Sequence, residues 1–276
     1  MSDQNSQKEF VYSPKDFNAV RKRLYQVSGI KLGDSKDSMV YSRLARRLRA
    51  LKIQSFDAYL KYINAHPAER TEFVNALTTN LTSFFREPHH FKILANYVSK
   101  HRGKLKIWCA ASSTGEEPYS IAMTVVESLG GFNHPVEIIA SDIDSNVLKT
   151  AAKGIYKYER VSDLSSRHLK QFFYRGVGSN SGLVKVVPEL RAMIRYKNIN
   201  LTDKVWDIGD DIDIIFCRNV MIYFDKPTQL VILKKMINRM NPKGIYVAGH
   251  SENFAGASDL VKALGNTVYQ PVAQLL

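Results

Sequence analysis

Cysteine is nearly absent: Cys109 and Cys217 are the two thiols in 276 residues. They have neither metal-ligand spacing nor the makings of a disulfide framework, and a reducing, cytoplasmic compartment is expected. No apolar run approaches the roughly 20 residues of a membrane span. The opening MSDQNSQKEF is polar and lacks the apolar core of a secretion signal. Acidic residues are in deficit: 26 Asp+Glu face 39 Lys+Arg, for a net charge of +13. That excess favours an acidic partner (nucleic acid, anionic lipid or an acidic protein surface) without choosing among them. Glycine is scarce at the one turn where a nucleotide fold would use it.

That turn lies in KLKIWCAASSTGEEPYS, residues 104–120. Residues 105–109 have the length and content of a buried strand. Six small residues follow, Ala110 to Gly115, and Glu116-Glu117-Pro118 then open a helix with acids and proline in its first turn. Strand, small-residue turn and helix are how a doubly wound α/β sheet builds a ligand site at its strand ends. A dinucleotide turn would read G-x-G-x-x-G. Here a single glycine and two carboxylates stand where a pyrophosphate would lie, which disfavours phosphate and favours a cationic or zwitterionic ligand such as S-adenosylmethionine. A well-capped connection with no ligand would share the pattern.

Residues 8–75 read as helices, over 14–28, 37–53, 55–65 and 68–77. In the second, Val40, Tyr41, Leu44, Leu48 and Leu51 gather on one side, while Arg43, Arg46, Arg47 and Arg49 spread over the other. This arginine face is either a solvated surface or the docking face for an acidic partner. A polar–aromatic connector follows, in which Asn80, Thr82 and Arg86 would point the same way if extended. From Lys104 strand and helix alternate, with strands expected at 105–109, 136–141, 193–199, 212–217, 244–249 and 267–273 and a last helix before the final strand. Residues 172–190, with Gly176, Gly178 and Gly182, interrupt the alternation as a hairpin with a free edge able to accept a peptide strand. The reading is an all-helical domain (1–77), a connector (78–90) and a mostly parallel α/β domain (91–276).

Four blocks, TTNLTSFFRE, AASSTGEEPYSIA, ASDID and FCRNVMIYF, together resemble the CheR family of chemotaxis receptor methyltransferases, in the family's order and spacing from about residue 10 onward. The resemblance implies a small all-helical N-terminal domain, a Rossmann-like doubly wound sheet and an inserted antiparallel β-subdomain. It implies methyl transfer from S-adenosylmethionine to glutamates on the cytoplasmic helices of chemoreceptors, with S-adenosylhomocysteine as product. It places cofactor contacts on Asn80, Thr82, Arg86, Glu117, Asp142, Asn200, Leu201, Arg218 and Asn219, and chemistry near Tyr223, Arg218 and Arg86. Receptor contacts fall on Arg43, Arg46 and Arg47, and on Gly176, Gly178 and Gly182 for members that tether to a receptor's C-terminal pentapeptide by strand addition. A cytoplasmic monomer recruited to membrane receptors is expected, without nucleic acid or membrane insertion.

Two rivals remain at this level. A nucleic-acid methyltransferase would share the basicity and cofactor fold, but the N/D-P-P-Y/F motif of amino-group methylation is missing, with Arg218-Asn219-Val220-Met221 in its place. A non-catalytic S-adenosylmethionine-binding module would be expected to have lost Arg86, Arg218 or Tyr223. No metal is expected: His89-His90 reads as surface or cap at a helix start.

Overall fold

A computed structural model describes residues 9–272; the polar run before Glu9 and the end of the strand expected over 267–273 lie outside the described residues. The chain divides into two compact units, Met1–Thr79 and Asn80–Leu276.

The first unit carries α1 Pro14–Ser28, α2 Asp37–Leu51, α3 Phe56–Ala65 and α4 Pro67–Leu77. α1 begins with a reciprocal cap: Asp16 N–H donates to Ser13 Oγ at 3.3 Å, and Ser13 N–H to Asp16 Oδ2 at 2.9 Å. Such a cap is worth about 1 kcal/mol. Gly29, at φ 73°, closes the helix. Phe17, Val20 and Leu24 of α1, Val40, Leu44 and Leu48 of α2, and Phe56, Tyr59 and Ile63 of α3 are buried at helical spacing.

The arginines of α2 do not form one solvated face. Arg47 grips buried Glu69 with Nε at 2.9 Å and Nη2 on the second oxygen, while Tyr59 Oη donates to the same carboxylate at 2.8 Å. Arg43 donates to the carbonyls of Ala76 and Thr78, tying down the end of α4. Arg49 pairs with Glu9. Arg46 is exposed.

The second unit begins with the connector and α5 His89–Lys100, then alternates: β1 Leu105–Cys109, α6 Glu116–Leu129, β2 Val136–Asp142, α7 Ser145–Lys153. After an insertion come β6 Ile194–Asn198, β7 Ile212–Cys217, α10 Lys226–Ile237 and β8 Met240–Ala248, then β9 Val261–Gly265 and β10 Val268–Pro271. The seven strands are ordered β6-β2-β1-β7-β8-β10-β9. The first five run parallel, and β10 pairs antiparallel with both neighbours. All six residues of β7 are buried. Because alternate side chains face opposite ways, both faces of the sheet must be covered. Ile214, Ile215 and Phe216 are fully buried, each worth about 1.5–3 kcal/mol.

The structure corrects three expectations. The last helix is absent among the described residues: Val261–Gly265 is strand β9, held by a hairpin to β10 whose tightness local propensity could not foretell. The inserted sheet starts earlier than residue 172. It comprises β3 Ile155–Lys157, β4 Phe173–Arg175 and β5 Leu183–Val186 in the order β3-β5-β4, with α8 Ser166–Phe172 between β3 and β4, and α9 Pro188–Ala192 follows. Three-residue strands are too short to show alternation. Gly176 approaches Asn180 so closely that a Cβ would lie 2.1 Å from its carbonyl oxygen; Gly178 opens the tip turn and Gly182 precedes β5. Finally, the connector is not extended as far as Arg86, because Phe85 and Glu87 turn it with φ of 51° and 57°.

Candidate active site

β1 lies between β2 and β7, so successive connections leave it in opposite directions, and the crevice at such a reversal is where open α/β sheets bind ligands. The carboxyl ends of these three strands deliver Cys109, Asp142 and Arg218 to one rim.

The turn after β1 commits four of its six amides to bonds within the protein. Ala110 N–H donates to Phe216 O at 2.8 Å, Ser112 N–H to Ser141 O at 2.8 Å, Ser113 N–H to Asp142 Oδ2 at 2.8 Å and Gly115 N–H to Ser112 O at 3.0 Å. A phosphate cradle needs such donors free. Gly115 is required here: its φ is 102°, and a Cβ would lie 2.7 Å from Tyr156 Oη and 2.8 Å from Ala151 Cβ.

Two carboxylates border the rim. Asp142, 8 % exposed, accepts from Ser113 N–H and, through Oδ1, from Asp144 N–H at 3.0 Å. Burial pushes its carboxyl up to about 6, against the pull of those backbone donors. Glu117 takes Arg218 Nη1 at 2.6 Å on one oxygen and Cys109 Sγ–H at 3.3 Å on the other. Burial raises the Glu117 carboxyl, with Arg218 opposing. It also raises the Cys109 thiol, which therefore serves as a donor and not as a nucleophile.

Arg218 is the hub. Its side chain has no exposed surface, and it bonds Glu117, the Arg86 carbonyl and, at 3.3 Å, Glu87 Oε2. Burial alone would raise Glu87, but Arg218 and Asn219 outweigh it and hold that carboxyl below its usual value. Arg86 sends Nη1 to Leu81 O at 3.0 Å and keeps a third of its side chain exposed.

A family model described as the SAM binding domain of CheR methyltransferase matches residues 80–270, and the model of its all-alpha domain matches residues 15–78. The chain belongs to the CheR methyltransferase family. A Pseudomonas aeruginosa protein named chemotaxis protein methyltransferase 2 is 53% identical over 267 residues, covering 95% of each chain. The Salmonella typhimurium chemotaxis protein methyltransferase is 46% identical over 255 residues, covering 92% of this chain and 88% of the relative. A solved TehB-like SAM-dependent methyltransferase from Corynebacterium glutamicum covers 67% of this chain and 100% of its own, at 10% identity and a TM-score of 0.38.

CheR membership makes the chain an S-adenosylmethionine-dependent methyltransferase, and the residues present fit that cofactor: carboxylates at the start of α6 and the end of β2, beside a turn with most of its amides committed. The remaining predicted residues lie on the connector and on the segments that follow β6 and β7. Asn80 Nδ2 donates to Asp144 Oδ2 at 2.9 Å, and its carbonyl accepts from Ser113 Oγ at 3.1 Å. The Thr82 carbonyl accepts from Arg160 at 2.8 Å. Asn200 follows β6, its side chain accepting from Thr202 and its carbonyl from Trp206 Nε1; Leu201 is buried. Asn219 turns at φ 57° after β7, and Tyr223 ends the short turn Met221–Tyr223, half-buried. A hollow of about 400 Å³ beside the end of β6, lined by Asn198, Ile199 and Trp206 among others, contains none of the predicted residues.

Sequence reasoning missed two residues that brace these segments and misread a third. Glu252, 4 % exposed, accepts four amides: Asn219 at 3.0 Å, Val220 at 2.9 Å, Met221 at 2.7 Å and Gly249 at 2.6 Å. It fixes the path from Arg218 to Tyr223. Arg160, beyond β3, ties Glu116 to the Thr82 carbonyl. Their partners are far off in sequence, so no local signal marks them. The third is His90, which is neither surface nor cap: it is fully buried, Nε2 lies 2.9 Å from the Asn266 carbonyl, and burial pushes its imidazole down to about 4.

Proposed function

We propose that this chain transfers the methyl group of S-adenosylmethionine to glutamate carboxylates on the cytoplasmic helices of chemoreceptors, leaving glutamate methyl esters and S-adenosylhomocysteine. The observation that carries the reading is the pair of buried carboxylates, Asp142 and Glu117, beside a 110–115 turn that commits four of its six amides internally, a rim better suited to a sulfonium nucleoside than to a phosphate. The names of the relatives, chemotaxis protein methyltransferases, support an acceptor within the chemotaxis machinery.

A glutamate with a pKa near 4.3 is ionised at neutral pH, so no general base is needed. The cofactor, when bound, supplies an electrophilic methyl. A carboxylate lone pair forms the O–C bond as the C–S bond breaks, its electrons remaining on sulfur, and no proton moves. Alignment of the two partners supplies most of the acceleration, of the order of 7–11 kcal/mol in well-oriented reactions. Opposite charges are neutralised in the step, so a site that held the nucleophile tightly would slow it. Arg218 meets that condition by being saturated with Glu87, Glu117 and a carbonyl. Arg86, partly exposed, then orients the incoming carboxylate, and Tyr223 shapes the methyl pocket.

Arg46 is placed to dock the acidic methylation helices electrostatically, with Arg43 and Arg47 lending charge while holding their own unit together. The β4 edge beyond Gly176, Gly178 and Gly182 would accept an aromatic–acidic receptor tail as an added strand. The product should bind well, because it keeps nearly every cofactor contact. We further propose a cytoplasmic monomer working at receptor arrays; no helix of the described residues is long and apolar enough to cross a membrane.

Incubation with labelled S-adenosylmethionine and receptor-bearing membranes tests the reading, since glutamate esters release methanol in alkali. Alkali-stable label, or label on nucleic acid, would overturn it. Tyr223→Phe should cut turnover about tenfold or more while changing stability by less than about 0.5 kcal/mol; undiminished turnover removes Tyr223 from the chemistry.

A further inference from the structure

The start of α5 carries a cluster of metal-ligating side chains whose imidazoles take no part in the proposed methyl transfer. The ligand atoms of Glu87, His89 and His90 lie within 4.8 Å of one another. His90 is the informative member. Its side chain is 0 % exposed, and Nε2 lies 2.9 Å from the Asn266 carbonyl, an acceptor that obliges Nε2 to carry the proton. On a neutral ring Nδ1 is then a bare lone pair. That atom is buried without a hydrogen-bond partner, and it faces Glu87 Oε2 at 3.4 Å. Glu87 Oε2 is also reached by Arg218 at 3.3 Å and by the His250 backbone N–H at 3.2 Å, but nothing among the described residues donates to His90 Nδ1, whose buried lone pair is left open to a cation shared with the carboxylate.

The geometry suits one. Ligands bound at about 2.1 Å around a tetrahedral ion sit about 3.4 Å apart. His90 Nδ1 and Glu87 Oε2 are at that separation, and His250 Nδ1, on an exposed side chain, lies 3.6 Å from Glu87 Oε1. A metal-bound imidazole characteristically donates its other N–H to a backbone carbonyl, as His90 does to Asn266. Imidazoles with one carboxylate select a borderline ion of the zinc class over magnesium or calcium, which prefer oxygen ligands.

We infer that Glu87, His89 and His90, closed by His250, form a site for a divalent transition-metal ion of the zinc class. Its occupancy competes with Arg218 for Glu87, because the guanidinium stands 3.3 Å from the same Oε2. Metal binding therefore loosens the hub beneath the cofactor rim and slows methyl transfer.

The probe is Co²⁺, with Zn²⁺ in competition, added to the purified full-length protein without methyl acceptor, so that the outcome is independent of the acceptor assignment. One equivalent of Co²⁺ should give the intense visible bands of a tetrahedral N/O site, and Zn²⁺ should displace it. His89→Ala and His250→Ala, both remote from the sheet core, should each weaken binding by about tenfold or more. Half-inhibition of methyl transfer by Zn²⁺ should track the wild-type binding curve and shift with His89→Ala. No tetrahedral spectrum, unchanged binding in the double variant, or thiolate charge-transfer bands placing the ion at Cys109 or Cys217 would each overturn the site.

Discussion

Glu116 and Glu117 are neighbours in sequence and both nearly buried, yet the two ion pairs they make are of different kinds. Glu116 meets Arg160, whose side chain is 44% exposed, and takes a further hydrogen bond from Thr114 Oγ1 at 2.6 Å. Glu117 meets Arg218, which has no exposed surface and shares itself with Glu87. The first pair is a latch at the rim, where water screens the charges and a lost partner is replaced by solvent. The second is a core element, where each charge is tolerable because the others are present. An identical residue type one position along the helix thus ties down the inserted β-sheet in one case and the ends of β1 and β7 in the other.

The sharpest way to break this comparison is Arg218→Ala. It strands Glu117 and Glu87 in a buried setting, and the expected loss is about 3–5 kcal/mol of stability, read by chemical denaturation. The burial of the guanidinium makes the loss this large. Arg218→Lys should recover part of the stability and little of the activity, since an ammonium cannot serve two carboxylates and a carbonyl with a planar fork. Wild-type stability in Arg218→Ala would erase the distinction between the two pairs.

Asp142 sharpens it next. Burial pushes its carboxyl up to about 6 in the fold, against 3.8 for an ordinary exposed aspartate. The native state binds the extra proton between those values, so this group's contribution to stability falls as pH rises from 3.8 through 6. The full shift corresponds to about 3 kcal/mol. Cofactor binding should run the opposite way: the ionised carboxylate is the better acceptor for ribose hydroxyls, so affinity should rise from pH 5 to pH 7. Titration calorimetry across that range checks it, and Asp142→Asn should flatten the profile while weakening binding about tenfold. A pH-independent wild-type affinity would show that Asp142 does not meet the cofactor.

Such differences explain what was legible in the sequence. Ser13-Pro14 and Gly29 bracket α1 because caps are local chemistry, and the apolar run 212–217 announces a doubly covered strand. The α6 entry, with Gly115 between small residues and two acids, announced the strand–turn–helix found between β1 and α6. The roles of those acids were not legible, since the deciding partners, Arg160 and Arg218, lie 44 and 101 residues away. Nor could the surroundings of His90 be read, because its partners Asn266 and Thr267 join it only when β10 docks against β8. Arginines on α2 looked alike by periodicity and differ in the fold through Glu69 and the α4 carbonyls.

A milder test is Arg160→Ala. Glu116 keeps its bond from Thr114, and solvent can reach the vacated place, so a loss of about 1 kcal/mol is expected. Methyl transfer should fall only a few-fold, through loosening of the connector at the Thr82 carbonyl. A cost equal to that of Arg218→Ala would mean that exposure of the partner does not decide the strength of these pairs.

The smallest effect on the fold is expected at Arg46, the exposed counterpart of Arg43 and Arg47. Arg46→Glu should leave stability within about 0.5 kcal/mol, because a surface charge away from partners contributes little. Its effect should instead appear in encounter with an acidic receptor helix, as a several-fold lower methylation rate at low salt. That deficit should shrink toward physiological ionic strength, where screening acts within about 8 Å. Arg47→Glu, by contrast, would set a carboxylate against buried Glu69 and should unfold the first unit before docking can be measured. A salt-independent defect in Arg46→Glu would remove electrostatic docking from α2 and leave its arginines a purely architectural role.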